Sequence, residues 1–238
     1  MSGEFAVWVY LSRTPLLWLT VTLLAYLVAD RIAAATGRNP VANPVLIAIM
    51  ITAAILSVTG TPYADYFQGA QFVHFLLGPA TVMLALPLYE HRATVMRALV
   101  PMLAALGVGC VVALVSAIGL ARLLDIPRPI ITALSPKSIT SGVAMGVSET
   151  LGGDPTLTAV IVMLTGVTGA ILVTPLMNAL RIRDMRARGF AAGLAAHGVG
   201  TARAFQVSEV AGTFAGIAMG LNALLTAILV PVVLRLVP

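Results

Sequence analysis

Long apolar runs without a charged residue recur along the whole chain. Six of them come close to the roughly 20 residues that a helix needs to cross a bilayer; they are residues 14–29, 41–59, 66–89, 98–121, 155–180 and 210–234. Two shorter or more polar stretches, 129–150 and 189–206, are typical of spans, broken helices or re-entrant segments. We therefore predict an all-α polytopic membrane protein with about six to eight transmembrane or re-entrant helices, some of them discontinuous.

The composition leaves no room for a soluble domain. Hydrophobic residues make up 59% of the chain and charged residues 10%, whereas soluble domains carry about 25% charged residues; the mean hydropathy is +1.01. We therefore expect a single membrane domain over residues 1–238. The first twelve residues hold Glu4 and no basic residue, unlike the positive start of a signal peptide, so residues 15–29 are expected to be a retained helix.

The net charge of +5 does not indicate nucleic-acid binding, because the basic residues lie between the apolar runs. They are Arg31, Arg38, Arg92, Arg97, Arg122, Arg128, Arg181, Arg183, Arg186 and Arg188. Positive loops stay cytoplasmic, so we expect these loops inside. The loops at 61–65 and 152–154 carry acid and no base, and we expect them on the opposite side.

Two proline–glycine spacings each occur twice. The matching pairs are Pro44 to Gly60 with Pro136 to Gly152, and Gly78 to Pro87 with Gly166 to Pro175. They predict an internal two-fold repeat over about 40–125 and 132–238, as many secondary transporters have. Whether the two repeats are inverted stays open. An inverted repeat would place the loops at 91–97 and 181–188 on opposite sides of the membrane, whereas both loops are basic, which favours the same side. An extra re-entrant pass between 98 and 150 would make either arrangement possible.

Most of the 21 glycines lie in the second half, where several are spaced four residues apart. The pairs are Gly142 with Gly146, Gly189 with Gly193, and Gly212 with Gly216 and Gly220. Small residues at this spacing share one helix face and let backbones approach closely in lipid. We therefore predict a tightly packed second half that holds its polar groups rigidly.

A first polar cluster interrupts the run at 129–150. Ser135 is a preferred N-cap and Pro136 a preferred first helical residue, which predicts a helix start with a partial positive charge suited to an anion. Lys137 adds a full charge, and nearby hydroxyls complete a candidate substrate site. Its residues are Ser135, Lys137, Ser138, Thr140 and Ser141, with Asn43 before Pro44 in the same arrangement. The alternative is an interfacial cap with a snorkelling lysine.

A second polar cluster interrupts the run at 189–206. Its candidate substrate-binding residues are His197, Gly198, Gly200, Thr201 and Arg203. A charge at the bilayer centre costs about 2.5–3.5 kcal/mol, so such residues tend to face a partner, a cavity or a substrate.

An imidazole titrates near neutral pH. His197 is therefore a candidate for proton coupling, and the carboxyl groups of Glu149 and Glu209 are further candidates. The alternative is that Arg203 forms a structural pair with Glu209 or Glu149.

Enzyme signatures are missing from the sequence. No nucleophile elbow, phosphate loop or metal-ligand spacing occurs, and Cys110 is the only cysteine. Lys137 and Ser138 diverge by about 100° on a helix, which makes a poor Ser–Lys dyad. We therefore expect no enzyme activity, catalytic residue, cofactor or metal.

At these same places the sequence resembles the LrgB/CidB family. The segments that carry the resemblance are "NPVLIAI" at 43–49, "PKSITSGVAMGVSETLGG" at 136–153, "LRIRDMRARG" at 180–189, "AAHGVGTARAF" at 195–205 and "EVAGTFAGIAMGLNALLTAILVP" at 209–231. The similarity spans nearly the whole chain and is most specific in the second half.

The resemblance implies two different functions in a bacterial inner membrane. Bacterial members are described as holin/antiholin-like proteins that act with a small LrgA/CidA-type membrane partner on murein hydrolase release. A plastid relative exchanges glycolate and glycerate, and some bacterial members are linked to pyruvate uptake. The buried polar residues favour a secondary transporter of small monocarboxylates; the alternative is a lysis regulator acting with the small partner. Homo-oligomerisation is left open.

Overall fold

The regular structure of this chain is helical throughout the residues that the computed structural model describes, which are 14–76, 79, 82–83 and 85–236. The helices are α1 Pro15–Ala35, α2 Pro44–Thr59, α3 Tyr63–Phe75, α4 Ala85–Glu90, α5 Arg92–Arg97, α6 Leu99–Leu123, α7 Arg128–Leu134, α8 Ser141–Thr150, α9 Pro155–Ala179, α10 Met185–Val207 and α11 Glu209–Leu236. These bounds confirm the helical prediction for every predicted run that is fully described.

Four of these helices, α1, α6, α9 and α11, are long and apolar enough to cross a membrane, and α2 is a shorter apolar helix. The predicted run at 66–89 is only partly described, and the repeat position Gly78 and the leader position Glu4 lie outside the described residues. The chain forms two compact units, residues 1–85 and 86–238.

The first unit packs α1 against α2 and α3. Gly69 of α3 lies against the backbone of α1, where an added Cβ would be 2.6 Å from the Leu19 nitrogen. This close approach buries Trp18, whose ring meets Tyr66 edge-on at 6.0 Å. As predicted, Asn43 caps α2, because its side chain accepts the N–H groups of Val45 and Leu46.

The second unit has two ends, which side-chain contacts identify. Arg97 before α6, Arg186 in the first turn of α10 and Phe214 near the start of α11 line one cavity; we call this the Arg186 end. Arg122 near the end of α6 and Leu234 near the end of α11 share a cavity with Arg128; we call this the Arg128 end. Helices α6 and α11 therefore run parallel from the Arg186 end to the Arg128 end.

Helices α7 and α8 form a hairpin that enters from the Arg128 end and returns to it. Gly153, just after α8, lies against α7: its added Cβ would be 3.1 Å from the Ala133 nitrogen. A continuous helix would separate these residues by about 30 Å. Ile131 and Val147 also share one hydrophobic cluster. Helix α9 then starts at the Arg128 end and crosses back.

Helix α10 is a second hairpin, entering from the Arg186 end. Ala196 (φ −130°, ψ 18°) and His197 (φ 41°, ψ −130°) have non-helical backbones. Beyond them the chain folds back: an added Cβ on Gly200 would overlap the carbonyl oxygen of Ala192, although a straight helix separates these residues by about 12 Å. Arg188 and Arg203, from the two arms, line one small cavity.

One part of the expected topology is wrong. The sequence placed Arg122 and Arg128 on the same side as the cluster at 181–188, yet α6 carries Arg97 and Arg122 at opposite ends. The loop at 122–128 lies at the same end as 152–154. Local charge cannot reveal this, because both loops are basic and only the number of crossings between them fixes the side.

The glycine pairs differ in what they do. Gly189 and Gly193 lie against the carbonyls of Ala211 and Ala215, which confirms close packing of α10 on α11, and Gly212 lies against the ring of Phe205. The prediction is wrong for Gly142, Gly146 and Gly220, where an added Cβ would meet no atom of the described residues within 4 Å.

Cysteine accessibility tests this topology. In a Cys110→Ser background, Leu124→Cys and Thr150→Cys should react with an impermeant thiol reagent from the outside, and Arg183→Cys only from the cytoplasm, because the larger arginine cluster lies at the Arg186 end. Labelling of Leu124→Cys and Arg183→Cys from the same side would contradict the α7–α8 hairpin.

Candidate functional site

The first hairpin turns at residues 135–140, and the predicted helix start at Ser135 is wrong. Ser135 ends α7, and its hydroxyl donates to the carbonyl of Ile131 at 2.7 Å. Pro136 has no N–H to continue the helix. The next helix begins at Ser141, with Thr140 as an N-cap whose side chain makes no capping bond. The Ser-Pro pair therefore acts as a stop signal, and Lys137 and Ser138 lie in the turn.

The second hairpin turns one residue before the expected glycines. His197 has a φ of 41°, while Gly198 and Gly200 have no positive φ. A side chain in such a region costs about 1–3 kcal/mol and persists only where surrounding contacts hold it. The contacts of the imidazole are therefore central to this turn.

The imidazole of His197 is buried against the middle of α9. Its Nε2 lies 2.9 Å from the carbonyl oxygen of Val162; because a carbonyl only accepts, Nε2 must donate. Gly166 provides the space, since an added Cβ there would be 2.5 Å from the ring. Thr201 donates to the His197 carbonyl at 2.8 Å. The bond to Val162 fixes the turn to α9, and the Thr201 bond holds the turn to the arm that follows it.

Asn222 of α11 joins the two hairpins. Its buried amide nitrogen donates to the carbonyl of Ser138 at 3.1 Å and to that of Leu194 at 3.0 Å. Ser138 is in the first turn, and Leu194 lies in the last turn before the second break, where helical N–H partners run out. The amide oxygen of Asn222 accepts a hydrogen bond from the Thr226 hydroxyl at 3.0 Å, and that hydroxyl lies 3.1 Å from Cys110 Sγ. The Asn222 amide thus provides a hydrogen-bond partner for a backbone carbonyl at each of the two helix breaks.

A cavity of about 410 Å³ lies where the hairpin tips meet α9. It is lined by Leu134, Lys137, Ile161, Leu164, Thr165, Thr168, Gly169 and Ala195. Lys137 is the only charged side chain among these described lining residues, and its Nζ lies 3.4 Å from the Ser138 hydroxyl. The structure thus gathers one cation and two threonine hydroxyls on an apolar wall at mid-height of α9.

Other predicted site residues lie elsewhere. Arg203 shares a cavity with Arg188 towards the Arg186 end and donates to Gln206 at 3.2 Å. Glu149 is exposed near the end of α8, and Glu209 is exposed and lies 4.0 Å from His91. Asn43 belongs to the first unit. The long side chains are displaced because each hairpin arm returns its outer residues to the membrane surface.

Sequence reasoning missed the residues of α9 and α11 that receive the tips, namely Gly166, Thr165, Thr168, Asn222 and Thr226. A signal existed for Asn222, since an amide within the apolar run at 210–234 is costly unless paired. The threonines gave none, because a helical threonine hydroxyl can bond its own backbone, as Thr165 does to Ile161 at 2.8 Å.

Removing the Asn222 amide should destabilise the second unit. Asn222→Leu leaves the Ser138 and Leu194 carbonyls unpaired, which should lower the free energy of unfolding by about 1–3 kcal/mol. Thermal unfolding of the purified protein in mild detergent measures this. Asn178→Leu, at an exposed position of α9, should be nearly neutral; equal effects at both positions would refute the bridge.

The two glycines of the second turn should respond differently. Gly200→Ala should cost about 1–3 kcal/mol by overpacking against Ala192. Gly198→Ala should change stability by less than about 1 kcal/mol, because among the described residues its Cβ would meet only Met219 Sδ, at 3.9 Å. The same unfolding assay tests this order, and a larger loss at Gly198 would contradict the fold-back at Ala192.

Comparison with known proteins places the whole chain. The profile of the LrgB-like family matches residues 22–236. The chain is 34% identical to the Bacillus subtilis protein YwbG over 91% of this chain and 96% of that protein. It is 32% identical to the holin-like protein CidB of Staphylococcus epidermidis over 95% of this chain and 98% of that one. No solved structure matches significantly. This membrane protein belongs to the LrgB-like family.

Proposed function

We propose that this chain is a secondary transporter of small monocarboxylates, of the glycolate, glycerate or pyruvate class, in the bacterial inner membrane. The observation that carries the proposal is the pair of hairpins that enter from opposite ends and meet at mid-height. Transporters commonly hold substrate near the midplane, where discontinuous helices meet. Irregular backbone at this depth is tolerated only where protein or a water-filled cavity surrounds it.

The cavity of about 410 Å³ that Lys137 lines, here called the Lys137 cavity, suits a short carboxylate. Its single cation balances one negative charge. Thr168 offers a hydroxyl to the rest of the molecule, and the Thr165 oxygen can accept a hydrogen bond while its O–H donates to the Ile161 carbonyl. The N-terminus of α8 is close in sequence, and Thr140 makes no side-chain capping bond there. The backbone N–H groups in the first turn of α8, and the partial positive charge at this end of the helix, therefore support anion binding.

An internal inverted repeat within residues 128–236 is part of this proposal; it differs from the repeat over about 40–125 and 132–238 that the proline–glycine spacings predict. Each half is a hairpin followed by a crossing helix, 128–179 and 185–236, in opposite directions. The sequences "VSE" and "AILV" occur in both halves, at 147–149 and 170–173 and again at 207–209 and 227–230. Aligning the two "VSE" segments pairs Lys137 with His197, so each turn carries one basic side chain.

The second candidate is a regulator of lysis that acts with a small LrgA/CidA-type partner. The name of the holin-like relative CidB supports it. Under this hypothesis the polar network only stabilises the bundle, and no substrate crosses the membrane through this chain.

Transport by the purified protein distinguishes the candidates. Proteoliposomes that contain only this chain should take up labelled glycolate, glycerate or pyruvate. Lys137→Met should lower uptake at least tenfold while the protein stays folded, because the cavity loses its cation. Arg92→Met, an exposed cation outside the cavity, should leave uptake unchanged. A folded, correctly oriented wild type without substrate-dependent flux at any pH would end the transport hypothesis.

The pH dependence tests the second turn. His197→Gln keeps a hydrogen-bond donor for Val162 but cannot titrate, so uptake by this variant should vary less with pH than uptake by wild type. Arg203→Lys should leave substrate affinity within about twofold, because Arg203 lies with Arg188 and outside the Lys137 cavity. A strong affinity loss in Arg203→Lys would instead place the substrate at the Arg186 end.

A further inference from the structure

A second cavity of about 420 Å³ opens at the Arg186 end and shares no lining residue with the Lys137 cavity. Its floor is formed by α6, the first arm of α10 and the start of α11. Met102, Phe190 and Phe214 line it and are buried, with exposed fractions of 5%, 5% and 1%. A pocket between these helices therefore offers a deep apolar surface.

The rim of this cavity is positive. Arg97, Arg186 and Asp184 are the charged side chains among its described lining residues. Asp184 and Arg186 neutralise each other, since their side chains lie 2.6 Å apart, and this contact holds the pKa of the Asp184 carboxyl below its usual range. Arg97 is exposed and adds a positive charge that no acid of the lining balances.

The charge and the apolar floor lie at different depths. Arg97 comes two residues before α6, which is long enough to span the membrane, so its guanidinium belongs at the headgroup level. Met102 lies about one turn deeper along α6. A complementary ligand therefore carries a negative head at the surface and an apolar chain that reaches inward.

We propose that this cavity binds an anionic phospholipid, with its phosphate on Arg97 and an acyl chain over Met102, Phe190 and Phe214. Arginine pairs with phosphate in two-pronged geometry, and basic pockets between transmembrane helices are recurrent sites for lipid headgroups. A free phosphate ion would leave the apolar floor without a partner. A zwitterionic lipid is less suited, because the positive charge of its headgroup is repelled by Arg97.

The bound lipid also contacts the second hairpin. Phe190 and Leu194 line the cavity, and the Leu194 carbonyl accepts the Asn222 amide. An acyl chain packed on this arm therefore restrains it against α11. The lipid site stands on its own residues and does not depend on the transported substrate.

Native mass spectrometry of the detergent-purified protein tests the site, with phosphatidylglycerol and phosphatidylcholine as probes. Wild type should retain phosphatidylglycerol in preference. Arg97→Gln should weaken that binding about tenfold, because the phosphate loses its charge-assisted hydrogen bonds to the guanidinium. Arg92→Gln removes the same charge nearby, outside the lining, and should bind as wild type does.

Two further variants make the test independent of overall charge and folding. Ala105→Phe keeps Arg97 but fills the cavity, and should also lose the bound lipid. Arg97→Lys keeps the charge without the planar fork and should bind between wild type and Arg97→Gln; it replaces Arg97→Gln if that variant unfolds.

Three results would overturn the proposal. They are equal binding by Arg97→Gln and Arg92→Gln, equal binding of both lipids, and a lipid-free dimer in which a second copy of this chain fills the cavity.

Discussion

The amide of Asn222 is the interaction on which the second unit depends. A bilayer supplies no water to a released backbone carbonyl, so a broken helix is stable there only if another protein group pairs with it. Asn222 donates to carbonyls of both hairpins, at Ser138 and Leu194, and Thr226 holds its oxygen. The two turns are therefore fixed to each other through α11, and neither is an independent local feature.

Small residues make that arrangement geometrically accessible. Gly189 and Gly193 bring the first arm of α10 onto the backbone of α11, and Gly200 lets the second arm pack on the first. Gly166 has no side chain, which leaves space for the imidazole of His197 to pack against α9. Because these contacts involve backbone, the hairpin has little freedom to shift without separating both tips, which is a property suited to a site that must present polar groups at a defined depth.

The unit therefore separates two kinds of chemistry. Its middle holds a few neutral polar groups and Lys137, while its arginines lie towards the ends, where Arg97 and Arg186 border an apolar cavity. This division follows from the cost of charge in the hydrocarbon core. It also explains the displaced predictions: Arg203 is near His197 in sequence, yet the returning arm carries its guanidinium to the small cavity shared with Arg188, towards the Arg186 end.

The sequence by itself determined the helices, the family and the places where two helices break. Apolar runs settle helix formation because a backbone in lipid must bond within its own segment. Only the tertiary structure decided that the breaks at 135–140 and 196–197 are reversals and that Ser135 ends a helix. The bonds that hold these reversals come from Asn222, which is 84 residues from Ser138 and 28 from Leu194. A local pattern contains neither partner, so it marks the break but not the direction in which the chain continues.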